Sequence, residues 1–128
     1  RTHFRLVMKP RGRPLHKFQT KLEFLRAIRD IVATQQEAYE RGILHRDCSL
    51  HNAMIEEADG NSLGMLIDWE FAVVIAPDNK YHVGGTVRHN SIHVAADPAA
   101  SEKDLDYSDD LESLFYVFCW ICIGYSGP

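Results

Sequence analysis

From Thr20 to Arg41 apolar residues recur at helical spacing: Leu22, Leu25, Ile28, Val32 and Tyr39, with Phe18, Ile31 and Ala38 beside them. This period predicts one long helix that buries these side chains on a single face. Thr20 and Glu23 have the spacing of a capping box, and Gly42 stands where a left-handed terminator belongs. A second run, "DDLESLFYVFCWICIG" from Asp109 to Gly124, opens with Asp109, Asp110 and Glu112 and then is almost wholly apolar. Acids favour a helix N-terminus, and a helix apolar all round is expected to be buried all round.

Between these helices the periodic pieces shorten. "IL" at Ile43, "AMI" at Ala53 and "LGMLI" at Leu63 predict small strands, the last two joined by "EEADGNS" as a hairpin loop. Upstream, "HFRLVM" reads as a strand that stops at Pro10 and runs into the turn-rich "KPRGRP". From Asp68 to Asp109 there is little periodicity, and an irregular segment of that length is usually functional or disordered. The pattern amounts to an α+β fold, mainly α, with a short β-hairpin.

Composition places this pattern in a soluble chain. The 128 residues suit one domain, 45% are hydrophobic and 25% charged, and no window approaches the ~20 apolar residues of a membrane span. The basic start has no secretory h-region, and Cys48, Cys119 and Cys122 are an odd number. An intracellular location, cytoplasmic or nuclear, is expected. The net charge of -4 conceals nine basic residues against Glu23 alone in Arg1 to Arg29, and five against seventeen acids in Asp30 to Pro128. The basic residues are scattered and lack an aromatic ladder, so a nucleic-acid partner is not expected.

Candidate chemistry gathers in "ILHRDCSLHNAMI", Ile43 to Ile55, where His45, Arg46 and Asp47 are followed five residues later by Asn52, and sixteen residues after that by Asp68. Phosphoryl transfer asks little covalent work of a protein: a group to orient the attacking hydroxyl, and oxygen ligands that hold Mg²⁺ against the phosphates. A strand, loop, strand, turn and strand of this length can bring Asp47, Asn52 and Asp68 to one sheet edge. Read blandly, Asp47 and Asn52 are turn residues and Asp68 a surface carboxylate. Other apparent motifs are weaker. His89 and His93 lack a second ligand pair for zinc, and Cys119 and Cys122 form C-x-x-C inside an apolar run, where buried inert thiols are expected.

Four ordered segments carry a family resemblance: "GILHRDCSLHN" from Gly42, "LIDWEFA" from Leu66, "GTVRHNSI" from Gly85 and "DDLESLFYVFCWI" from Asp109. They resemble the fungal-type protein kinase family, within the protein kinase superfamily. The resemblance implies a kinase-like large lobe whose hairpin sheet carries the catalytic loop. Residues 1–15 would be the end of the small lobe and the hinge, and residues 16–128 the large lobe to the buried helix. The glycine-rich loop, strand lysine and final helices would be absent, as in a fragment.

It also implies ATP and Mg²⁺ as cofactors, a protein hydroxyl as acceptor, and a role for each matching residue. Asp47 would be the catalytic base, with Arg46 and Asn52 beside it in the catalytic set. Ser49, Asn52 and Asp68 would face the cofactor, the last two as metal ligands. Thr86 would lie in the substrate-side loop, as in serine/threonine kinases, and His45 and Asp110 would be structural. Three positions depart from the usual superfamily pattern: Glu70 replaces a Gly, Ser49 a Lys and His93 an acid. Two other readings stand beside this one. A small-molecule phosphotransferase of the aminoglycoside or choline type shares "IDWE" and an H-x-D-x-x-x-x-N loop, and Glu70 and Ser49 fit a non-catalytic binding module. No Ser or Thr lies between Asp68 and Thr86, so Arg46 is expected to pair with Asp78 or phosphorylated Tyr81.

Overall fold

The first long helix, α1 (Lys21–Glu40), starts and stops where its end signals stand. Thr20 Oγ1 accepts the Glu23 N–H at 3.0 Å, while the Glu23 carboxylate takes the N–H of Gln19 at 2.5 Å. At the other end Gly42 adopts φ +72°, and its N–H donates to Tyr39 O at 2.8 Å. The computed structural model from which these contacts come describes residues 12–58, 61–75 and 107–125. The strand expected at "HFRLVM" lies outside these, as do Asp78, Tyr81, Thr86, His89 and His93.

Around α1 the described chain forms two small antiparallel sheets and a second helix, an α+β fold. Strands β1 (Gly12–Pro14), β3 (Ala53–Ala58) and β4 (Asn61–Leu66) are ordered β1-β3-β4, and β2 (Ile43–Leu44) pairs with β5 (Val73–Val74). In register, Pro14 faces Met54, Ala53 faces Leu66, and Leu44 faces Val73. Helix α2 (Tyr107–Gly124) packs on α1.

Two local expectations need correction. Gly12–Pro14, read as turn, is an edge strand, where a proline without an N–H does no harm to the ladder. "EEADGNS", read as loop, is mostly strand, with Ala58 facing Asn61 across the hairpin.

The faces of the helices also differ from the sequence pattern. On α1 the buried stripe is Phe24, Ala27, Ile31 and Gln35, with Ile28 and Val32 partly covered, whereas Leu22, Leu25 and Tyr39 are about half exposed. Enough apolar residues lie on α1 to mark two overlapping faces, and the hairpin packs on one of them. On α2 only Asp110, Ser113, Leu114, Val117 and Ile121 are buried; Phe115, Tyr116, Trp120 and Ile123 face outward. α2 is therefore not buried all round, and Cys119 is half-buried and Cys122 exposed, both as free thiols. The core joins Phe24, Ala27 and Ile31 of α1, Ala53, Ile55 and Leu66 of the hairpin, and Leu114, Val117 and Ile121 of α2.

Close approach and charge fix how the hairpin sits on α1. A Cβ on Gly64 would stand 1.9 Å from the Ala27 carbonyl oxygen, so β4 meets the helix backbone directly. The Gly64 N–H points to Asp30 Oδ2 at 3.3 Å. Arg13 of β1 bonds Glu57 of β3 at 2.8 Å, the Lys17 carbonyl, and Glu23 of α1, which also accepts from Ser62 Oγ at 2.6 Å. Glu23 thus ties β1, α1 and the hairpin at one point.

Gly64→Ala should cost about 2–3 kcal/mol or more through overpacking, read by urea unfolding at constant m-value. Burial alone would raise the Glu23 carboxyl, but the Gln19 N–H, Ser62 and Arg13 together hold it below its ordinary value. Such a group adds stability above the ordinary glutamate pKa and loses it as pH falls through the lowered one. The acid limb of the stability profile should therefore be shallower in Glu23→Gln than in the parent.

Candidate active site

Strand β2 delivers the chain into the loop from His45 to Asn52, and β3 takes it away. Three anchors shape this loop. The first is Asp110, in the first turn of α2 and 4% exposed, whose Oδ2 accepts the His45 N–H at 2.9 Å and whose Oδ1 accepts that of Arg46 at 3.0 Å. Burial pushes this carboxyl upward, and the two N–H bonds oppose that by favouring the charged form.

The second anchor is His45, fully buried. Its Nδ1 accepts the Asp47 N–H at 3.2 Å, which assigns the remaining proton to Nε2, 3.1 Å from Ile67 O. Its ring meets Trp69 edge-on at 4.5 Å, and Trp69 Nε1 donates to Leu66 O at 3.1 Å. His45 thereby joins the loop to the strand end that presents Asp68.

The third anchor is Asn52, also buried, whose Nδ2 donates to Asp47 O at 3.0 Å and to Asp47 Oδ2 at 2.8 Å. The Asn52 carbonyl accepts the Ile67 N–H at 2.9 Å, so the loop and the Asp68 strand are bonded twice. Ser49 is half-buried and takes part through its backbone, its N–H on Asp47 O at 2.9 Å.

Arg46 (φ +69°) and Asp68 (φ +66°) are the two non-glycine residues with left-handed backbones among those described. Each costs about 1–2 kcal/mol relative to ordinary backbone. Such strain persists only where neighbouring bonds over-determine it, and here Asp110 pins Arg46 while Asn52 and His45 pin both sides of Ile67. Asp68 is exposed and leads into a 3-10 turn, Trp69–Phe71, that carries Glu70.

The structure thus brings Asp47, Asn52 and the Asp68 turn into one hydrogen-bonded unit, with His45 and Asp110 beneath it. Thr86 lies outside the described residues. Two residues that sequence reasoning missed belong to the same unit: Cys48, 1% exposed, and Gln35, fully buried, with Gln35 Nε2 on Cys48 Sγ at 2.9 Å. A polar residue on the apolar stripe of α1 was the available signal for Gln35; Cys48 gave none.

Among the described residues no three His, Cys, Asp or Glu side chains gather around a metal position. The donor chemistry still fits a hard cation. Asn52 Nδ2 is committed to Asp47, which leaves Oδ1 as its donor, and the Asp68 side chain makes no hydrogen bond or ion pair among the described residues. Mg²⁺ needs only one or two protein oxygens when phosphates and water complete its shell.

A profile described as fungal protein kinase matches residues 1–122 of the 128. The chain belongs to the fungal protein kinase family. A search of curated proteins returned no match. Both the Asp47 loop and the Asp68 turn fall inside the matched segment, so the chemistry of this family, phosphoryl transfer in general, is the frame for the site. Among the described residues no helix is long and apolar enough to cross a membrane.

Asp68→Asn should leave stability within about 0.5 kcal/mol of the parent, because the position is exposed and Asn tolerates left-handed backbone. Asp68→Val should lose more than about 1 kcal/mol by strain alone. Chemical denaturation of the two variants checks both, and qualifies the Asn variant as a probe of function.

Proposed function

We propose that this chain carries the phosphoryl-transfer machinery of a serine/threonine protein kinase, moving the terminal phosphoryl group of ATP to a protein hydroxyl inside the cell. Residues 1–15 then correspond to the end of the small lobe and the hinge, and residues 16–128 to the large lobe as far as α2. The observation that carries the reading is the bond from Asn52 Nδ2 to Asp47 Oδ2, 2.8 Å, inside a loop held from below by Asp110.

That bond divides the work. With Oδ2 occupied, Asp47 Oδ1 is the atom that accepts the hydrogen bond of an incoming hydroxyl and aims its oxygen at phosphorus. As the new O–P bond forms, the bond from the terminal phosphorus to the bridging oxygen breaks, the hydroxyl proton passes to Asp47 and ADP leaves with the bridging oxygen. Asn52 Oδ1 and the Asp68 carboxylate would hold Mg²⁺, which when bound supplies positive charge against the phosphate oxygens. Ser49 offers a hydroxyl on the phosphate side of the loop and Arg46 a cation at its edge. Thr86 supports a Ser or Thr acceptor. Glu70 adds a carboxylate near Asp68 and leaves Asp47 and Asn52 untouched.

Phosphate transfer from labelled ATP and Mg²⁺ by the full-length protein, with protein and small-molecule acceptors offered together, tests the proposal. Asp47→Asn and Asp68→Asn should each lower kcat by at least about 10²-fold, with label on Ser or Thr of the protein acceptor. Equal transfer by parent and variants would sink the catalytic reading, and label on the small molecules alone would sink the choice of acceptor.

A further inference from the structure

Beneath the Asp47 loop three polar side chains converge from three elements. Gln35 comes from α1, Cys48 from the loop and Asp110 from α2, and they are 0%, 1% and 4% exposed. Gln35 Nε2 donates to Cys48 Sγ at 2.9 Å. On the α2 side stands the Asp110 carboxylate, whose charge acts on the thiol and whose two oxygens hold the N–H groups of His45 and Arg46. A thiol has one proton, so with the amide donating to sulfur the S–H is what remains for Asp110. Burial first, then the charges of Asp110 and Asp47, push the thiol upward and keep it a donor.

Packing alone does not account for these residue types. Gln35 Oε1 is buried without a hydrogen-bond partner among the described residues. A Met of similar length would fill the same space without an unsatisfied acceptor. What Met cannot do is hold the sulfur from the α1 side.

We propose that Gln35 and Cys48 form a buried amide–thiol strap that runs from α1 to Asp110 and fixes the backbone of His45 and Arg46, making both positioning residues for Asp47. The proposal rests on the kinase reading only for the task it gives to Asp47; the strap itself is a statement about the loop.

The test uses full-length Gln35→Met, Cys48→Ala, the double variant and Cys48→Ser. Amide hydrogen exchange at His45 and Arg46, thermal melting and steady-state phosphate transfer are read on each. Gln35→Met and Cys48→Ala should each quicken exchange at both amides about tenfold, and the double variant no more than the worse single, because both break one strap. kcat should fall about tenfold in both while KM for ATP holds. Cys48→Ser and Cys48→Ala lose the same sulfur and differ by one hydroxyl, so a shared packing loss cancels between them. The Ser variant should stay within about threefold of the parent in exchange.

Equal exchange or equal melting of the Ser and Ala variants, or additive effects of Gln35→Met and Cys48→Ala, would overturn the strap. Quickened exchange with unchanged kcat would overturn the positioning role. A parent that transfers no phosphate would remove the kinase reading, and the Ser and Ala comparison would still judge the strap.

Discussion

One buried carboxylate holds the site together. Asp110 accepts two consecutive backbone N–H groups from a loop more than sixty residues earlier in the chain, at 2.9 and 3.0 Å. An ionised carboxylate out of water costs several kcal/mol unless its lone pairs are filled. A left-handed Arg46 equally needs its amide held. Each expense is met by the other partner. The loop conformation is therefore available only when α2 is docked, and docking rests on the stripe of Leu114, Val117 and Ile121 meeting Phe24, Ala27 and Ile31.

The same economy appears one layer up. His45 and Asn52 are inside the fold, yet their side chains hold Asp47, and the His45 Nε2 and the Asn52 backbone carbonyl join its loop to the strand leading to Asp68. A buried network of this kind is rigid when every member is satisfied and expensive when one is lost. Chemistry that depends on the placement of a few oxygens gains from this rigidity, since the barrier rises steeply with misplacement. Gln35 extends the network to α1 through Cys48, so α1, α2 and the strand leading to Asp68 all bear on one loop.

Much of this was legible in the residues. The ends of α1 followed from Thr20, Glu23 and Gly42, because capping is a local affair of a few backbone groups. The spacing of Asp47, Asn52 and Asp68 marked them as candidates, since phosphoryl transfer needs oxygens at given offsets along a loop and strand, and the structure bonds Asn52 to Asp47. The exposed side of α2 was not legible. Hydrophobicity marks what would gain from cover, and cover itself depends on which surfaces arrive; Trp120 and Ile123 found none among the described residues.

By itself the sequence determined the two helices, the ends of α1, the candidate chemistry and the kinase family to which the chain belongs, all of which reside in short windows or fixed spacings. Only the tertiary structure decided which stripe of α1 is core, why Gly64 must lack a side chain, and that Gln35 meets Cys48 beneath the Asp47 loop. The reason is physical: burial, close backbone approach and hydrogen bonds between residues distant in sequence are properties of two surfaces in contact, and no single stretch contains both.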